Sequence, residues 1–131
     1  MKVVVDSNII FSATLSENSK FRKLLNNSEY EFIAPYELFE EIYNNLDKII
    51  KYSKTSESET IKYLNQLLSK LTYYHLDLIP KEVYEQAYNL CKDYDASDTP
   101  FVALAIHLET KLWTGDKIKN HLIKQGFADL F

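Results

Sequence analysis

The sequence predicts a three-layer α/β/α domain with a central parallel sheet of four to five strands. Short apolar runs alternate with helical periodicities along the chain, as in Val3-Val4-Val5, Phe32-Ile33-Ala34 and Leu112-Trp113-Thr114. The segments between those runs are too long for hairpins, so the strands are joined by crossovers and lie parallel with helices on both faces. Only two glycines occur, and neither stands in a GxGxxG or GxxxxGK[ST] loop, so a phosphate-cradling nucleotide fold has no support.

The elements follow in order. Three β-branched residues run straight into Asp6, which reads as a short buried strand ending on a carboxylate. A first crossover follows, with a short helical pattern over residues 19–25 that puts Phe21, Leu24 and Leu25 on one side. Residues 31–34 form a second strand closed by Pro35, and residues 37–51 one helix with the stripe Leu38, Ile42, Leu46 and Ile49. Residues 53–56 are a polar break; Ser56 and Glu59 make a capping box that opens a helix through Ile61, Leu64, Leu68 and Leu71. Residues 74–79 can form a third strand ended by Pro80, which also suits the first turn of the next helix through Val83, Ala87 and Leu90. After a loop at residues 93–97 come a largely apolar helix over 98–110 and a fourth strand over 111–114. Gly115 and Asp116 turn into a last helix that Gly126 can cap, and residues 127–131 can add a fifth strand.

At 131 residues the chain is expected to be one domain, residues 1–131, able to bury roughly two-thirds of its unfolded surface. A net charge of −4 argues against wrapping nucleic acid by positive charge alone, but acids gathered to hold a divalent ion would themselves make the count negative. Cys91 is the one cysteine, so no internal disulfide forms. With no signal peptide ahead of Asp6 and no apolar run longer than residues 101–106, the expectation is a soluble, cytoplasmic protein with no membrane partner.

Four acids fall where strands end or the following helices begin: Asp6, Glu41, Asp98 and Asp116. In a parallel sheet those places share one edge, where ligands bind in open α/β folds. Helix N-termini favour a carboxylate by about 0.3–1 kcal/mol, whereas two carboxylates 4 Å apart repel by about 4 kcal/mol at an effective dielectric of 20. Repulsion wins, so the cluster calls for a cation. Oxygen ligands select Mg²⁺, Mn²⁺ or Ca²⁺, and such ions support hydrolysis of phosphodiesters.

In the segments that carry these acids the chain resembles the PIN-domain family, small metal-dependent ribonucleases that include toxins of toxin–antitoxin pairs. The matching pieces are Val-Val-Val-Asp6-Ser-Asn8, Pro35-Tyr-Glu-Leu-Phe-Glu-Glu41-Ile, Asp98-Thr-Pro-Phe-Val-Ala-Leu-Ala105 and Leu112-Trp-Thr114-Gly-Asp116-Lys. The resemblance implies a Mg²⁺- or Mn²⁺-dependent endoribonuclease with Asp6, Glu41, Asp98 and Asp116 as metal ligands and catalytic residues, and Asn8 and Thr114 holding them by hydrogen bonds. It also implies an RNA substrate, an antitoxin protein as partner, and a homodimer. Glu40 and Asp95 stand close enough in sequence to be ligands in place of Glu41 and Asp98. At 100° per residue Glu41 lies nearer the Leu38/Ile42/Leu46 stripe, which favours it over Glu40.

Plainer readings compete. Taken singly, Asp6 and Asp98 read as turn or helix caps; four acids in register outweigh that. Glu37, Glu40 and the Glu/Lys pattern of residues 57–70 read as a solvated face, Cys91 and Trp113 as core, and His75, His107 and His121 lack metal-ligand spacing. Lys117, Lys119 and Lys124 flank Asp116 and could meet phosphates or simply water. Two other functions remain open. A haloacid-dehalogenase-like phosphatase would want a second aspartate where Asn8 stands, and a non-catalytic RNA- or protein-binding PIN-like domain would have no need of all four acids.

Overall fold

The computed structural model describes residues 1–15 and 20–131. Its strands are β1 (Lys2–Val5), β2 (Glu31–Pro35), β3 (Thr72–Tyr74) and β4 (Lys111–Trp113), all parallel, in the order β3-β2-β1-β4. β1 is interior because Val3, Val4 and Val5 can be buried on both faces: all three are fully buried, and Val4 is in register with Ile33 on one side and Leu112 on the other. Each such side chain contributes about 1.5–3 kcal/mol. The expected three-layer α/β/α arrangement is the one observed. α7 (Thr99–Leu108), buried from Phe101 to Ala105, crosses β1, β2 and β4 and carries α6 (Lys81–Cys91) against it. Among the described residues no helix is long and apolar enough to cross a membrane.

The first crossover holds more helix than the sequence reading allows. α1 (Ser7–Leu15) starts directly after Asp6 and is followed by α2 (Lys20–Leu25); Ser19, where the expected helix opened, lies outside the described residues. The Ser, Asn, Ile and Thr content of α1 gives it poor intrinsic propensity. Packing supplies what propensity does not, since Ile9, Ile10 and Ala13 are buried and α1 packs with α2 and with the helices that follow β2.

The single helix expected over residues 37–51 is two, α3 (Glu37–Asn44) and α4 (Leu46–Tyr52). The break is at Asn45, whose side-chain amide donates to the Glu41 carbonyl at 2.8 Å and competes with the helical ladder. α5 (Glu57–Ser69) begins as expected, with the Ser56 hydroxyl accepting the Glu59 N–H at 3.2 Å. Glu37 departs from its expected solvated face: it is half-buried, and one carboxylate oxygen is withdrawn from water with no hydrogen-bond partner among the described residues.

The third strand sits earlier than residues 74–79. Thr72, Tyr73 and Tyr74 pair with Ile33, Ala34 and Pro35, and the Tyr73 hydroxyl ties the strand back to the end of α5 by donating to the Leu68 carbonyl at 2.5 Å. Leu76 and Ile79 then turn inward on a 3-10 turn, Leu76–Leu78, because their i, i+3 spacing matches three residues per turn. The fifth strand reduces to one parallel bridge, Leu112 with Leu130. It follows α8 (Asp116–Lys124), whose end is closed as the sequence expects: Gly126, at φ 88°, lets its own N–H reach Ile123 and the Phe127 N–H reach Leu122.

Candidate active site

A parallel sheet delivers every strand end to one edge, and register decides which side chains meet there. Val5 pairs with Trp113, and the Asp6 N–H extends the ladder to the Trp113 carbonyl at 3.0 Å, so Asp6 and Thr114 emerge side by side. The Thr114 hydroxyl donates to Asp6 Oδ2 at 2.6 Å. The Ser7 hydroxyl lies 3.2 Å from Asp6 Oδ1 and also donates to Glu41 Oε2. A hydroxyl has one proton, so two carboxylates converge on a donor that can satisfy one of them at a time. Glu41 is half-buried on α3 while its neighbour Glu40 is exposed. Asp98 ends a 3-10 turn, Ala96–Asp98, immediately before α7; it is buried, and its side chain makes no capping hydrogen bond.

The three acids are electrostatically uncomfortable. Burial raises the Asp6 carboxyl above its ordinary range, against the opposing hydrogen bonds from Thr114, Ser7 and the backbone N–H groups of Asn8 and Ser7. Burial also raises Glu41; the Ser7 hydrogen bond opposes it, and the charges of Asp6, Asp95 and Glu40 add to it. Asp98 is pushed up to about 8 by burial and then by the charges of Asp6, Asp95 and Glu41. The metal-free edge therefore resists taking on its full negative charge and holds protons that free carboxylates would release.

Two adjoining cavities open at this edge and share Asn8, Phe11, Asp95 and Asp98, while Asp6 is buried beneath and lines neither. The smaller, about 280 Å³, reaches Ser7, Glu41 and Asn45; the larger, about 380 Å³, reaches Asp116 and Lys117. Asp116, the first residue of α8, is exposed at the rim. Asp95 is exposed too, and one of its oxygens accepts from the Ser97 N–H and hydroxyl at 3.0 and 2.7 Å.

The donor set is all carboxylate oxygen, with charge left uncompensated, which is the chemistry a hard divalent cation answers. In geometry the fit is partial. Asp6 and Glu41 meet at Ser7 and both act on Asp98 by charge, but among the described residues no three Asp, Glu, His or Cys side chains close on one point as a metal cage. Of the residues singled out from sequence, Asp6, Glu41 and Asp98 are therefore brought together, Asp116 faces the same opening from its rim, and Thr114 bonds Asp6 directly. Asn8 reaches Asp6 through its backbone N–H, while its exposed side chain lines both cavities. Ser7 escaped the sequence reading; its signal was a hydroxyl directly after the strand-end aspartate, legible only once a helix is known to start there.

No curated protein matches the chain. A PIN-domain family model matches residues 4–129, taking in the end of β1, the other three strands and every acid of this edge. The PIN fold is a nuclease-type fold and typically works with divalent metals. Strand-end acids on a four-stranded parallel sheet and a family match from Val4 to Asp129 agree, and the chain belongs to the PIN-domain family.

Proposed function

We propose that this protein is a cytoplasmic Mg²⁺- or Mn²⁺-dependent endoribonuclease, residues 1–131 forming one catalytic domain. In this reading it is the toxin of a toxin–antitoxin pair, with an antitoxin protein as inhibitor. The observation that carries the nuclease reading is the convergence of buried Asp6 and half-buried Glu41 on the single Ser7 hydroxyl beside Asp98. Asp6, Glu41, Asp98 and Asp116 are the residues that would hold the metal. Bound there, Mg²⁺ or Mn²⁺ would polarise the phosphodiester and lower the pKa of an attacking water. Thr114 holds Asp6, and the Ser7 hydroxyl lies between Asp6 and Glu41 and donates to one of them at a time, so the acids are oriented before substrate arrives. Membership of the PIN family, and Asn8 where a second aspartate would be needed, weigh against the phosphatase alternative.

Cleavage of a labelled RNA in Mg²⁺, Mn²⁺ and EDTA tests the reading. Asp6→Asn and Glu41→Gln should each lose at least about a hundredfold in rate with unchanged circular dichroism, whereas Glu40→Gln, exposed on α3, should keep its rate. A parent protein that does not cut RNA, or an Asp6→Asn variant that cuts at the parent rate, would overturn the mechanism.

Self-association belongs to the same reading. Tyr36, Phe39 and Tyr43 are exposed along one side of α3 and its start, and Tyr36 stacks with Tyr73 and Phe39, which gives a second copy apolar area to cover. Light scattering at micromolar concentration should show a dimer, and a monomer throughout would remove the claim.

A further inference from the structure

A third cavity, about 480 Å³, adjoins the acid edge on the β4 side and shares Ser12, Gly115 and Asp116 with the larger groove. Its chemistry differs from that of its neighbours. Trp113, Phe21 and Phe131 make an aromatic wall, with Trp113 5.5 Å from Phe21 and 5.3 Å from Phe131 between ring centroids. Lys20 and Lys119 reach the same space. The Lys20 ammonium stands 5.6 Å from the centre of the Phe21 ring, and Lys119 donates to the Phe131 carbonyl at 3.2 Å, which uses one of its three N–H groups. Neither lysine forms an ion pair among the described residues, although the chain is acidic overall and Asp116 lines the same cavity. Two cations that form no ion pair among the described residues, beside an aromatic wall and one step from a site for phosphodiester chemistry, match a phosphate and a base together.

We infer that this cavity is a nucleotide subsite, holding one unpaired nucleotide of the RNA next to the scissile bond, its phosphate on Lys20 and Lys119 and its base against the aromatic wall. The inference rests on the ribonuclease reading for its substrate, but its physical content is separable. The volume lies in the range of small-molecule sites, about 300–1,000 Å³. A single-stranded stretch is required, because a paired base cannot turn its face to a ring in a wall.

Trp113 is the only tryptophan in the chain, so occupancy can be read without any cleavage. Adenosine 5′-monophosphate titrated in EDTA, with emission excited at the red edge of tryptophan absorption, should quench Trp113 saturably; inorganic phosphate should not. Lys20→Met and Lys119→Met should each raise the dissociation constant about tenfold. Lys48→Met, exposed on α4 and outside the cavity, should leave it unchanged. Lys20 is exposed, so its variant tests the claim even if Lys119→Met disturbs the Phe131 contact. In RNA cleavage both cavity variants should raise KM with kcat held. Absent or unsaturable quenching, equal quenching by phosphate, or a parent-like constant in Lys20→Met would overturn the subsite. Cleavage of RNA by a parent that shows no quenching would remove the subsite and leave the ribonuclease reading standing; quenching without cleavage would support the subsite and sink that reading.

Discussion

Asp98 shows most directly what burying several carboxylates at one edge costs the metal-free protein. Its ordinary value is 3.8 and its folded value about 8, raised by burial and by Asp6, Asp95 and Glu41. Between those values the folded chain binds a proton that the unfolded chain has released, so the free protein loses stability as pH rises through the window and levels off above about 8. Asp6 and Glu41 are raised as well and add in the same direction. Urea unfolding in EDTA should therefore show a midpoint that falls from pH 5 toward pH 8. A midpoint that rises over that window would mean the acids are better compensated than their surroundings indicate. Asp6 was legible in the sequence only in company, because four acids fell where strands end or helices begin, and Thr114 was named through the family resemblance; the register of β1 with β4 puts the two side by side. The Asp95/Asp98 ambiguity was not: only burial and the turn formed by Asp95 with Ser97 separate the two.

Secondary-structure elements were legible where pattern and packing agree. β1, β2, β4 and α5 have apolar runs or a stripe with matching caps, and they lie within a residue or two of expectation. α1 was invisible because its residues resist helix locally and are held by tertiary contact, and the α3/α4 break turns on one asparagine amide. The end of α7 carries a testable strain. It closes with the same pair of hydrogen bonds as α8, Glu109 N–H to Ile106 and Thr110 N–H to Ala105, but the left-handed position, φ 52°, is filled by Glu109. A glutamate there is penalised against its Cβ where glycine is not. Glu109→Gly should stabilise the protein by about 0.5–1 kcal/mol after the greater freedom of glycine in the unfolded chain is allowed for. Thermal melting measures it, and a lower midpoint would show that Glu109 makes a compensating contact.

Across the whole molecule, a net charge of −4 and a nuclease-type fold are reconciled if the negative charge is concentrated where a cation belongs. The parallel sheet gathers Asp6, Glu41 and Asp98, and the fold accepts their repulsion in the metal-free state. Such a site should be stabilised by what it binds. Melting in Mn²⁺ against EDTA, on the parent and on Asp6→Asn, measures that linkage. At a Mn²⁺ concentration a hundred times the dissociation constant the parent should gain about 2.7 kcal/mol, roughly 10 °C in Tm. Asp6→Asn, relieved of one buried charge, should melt higher than the parent in EDTA and gain far less from metal. A parent midpoint unmoved by saturating Mn²⁺, or a gain equal in the two proteins, would contradict the claim that these acids form one metal site.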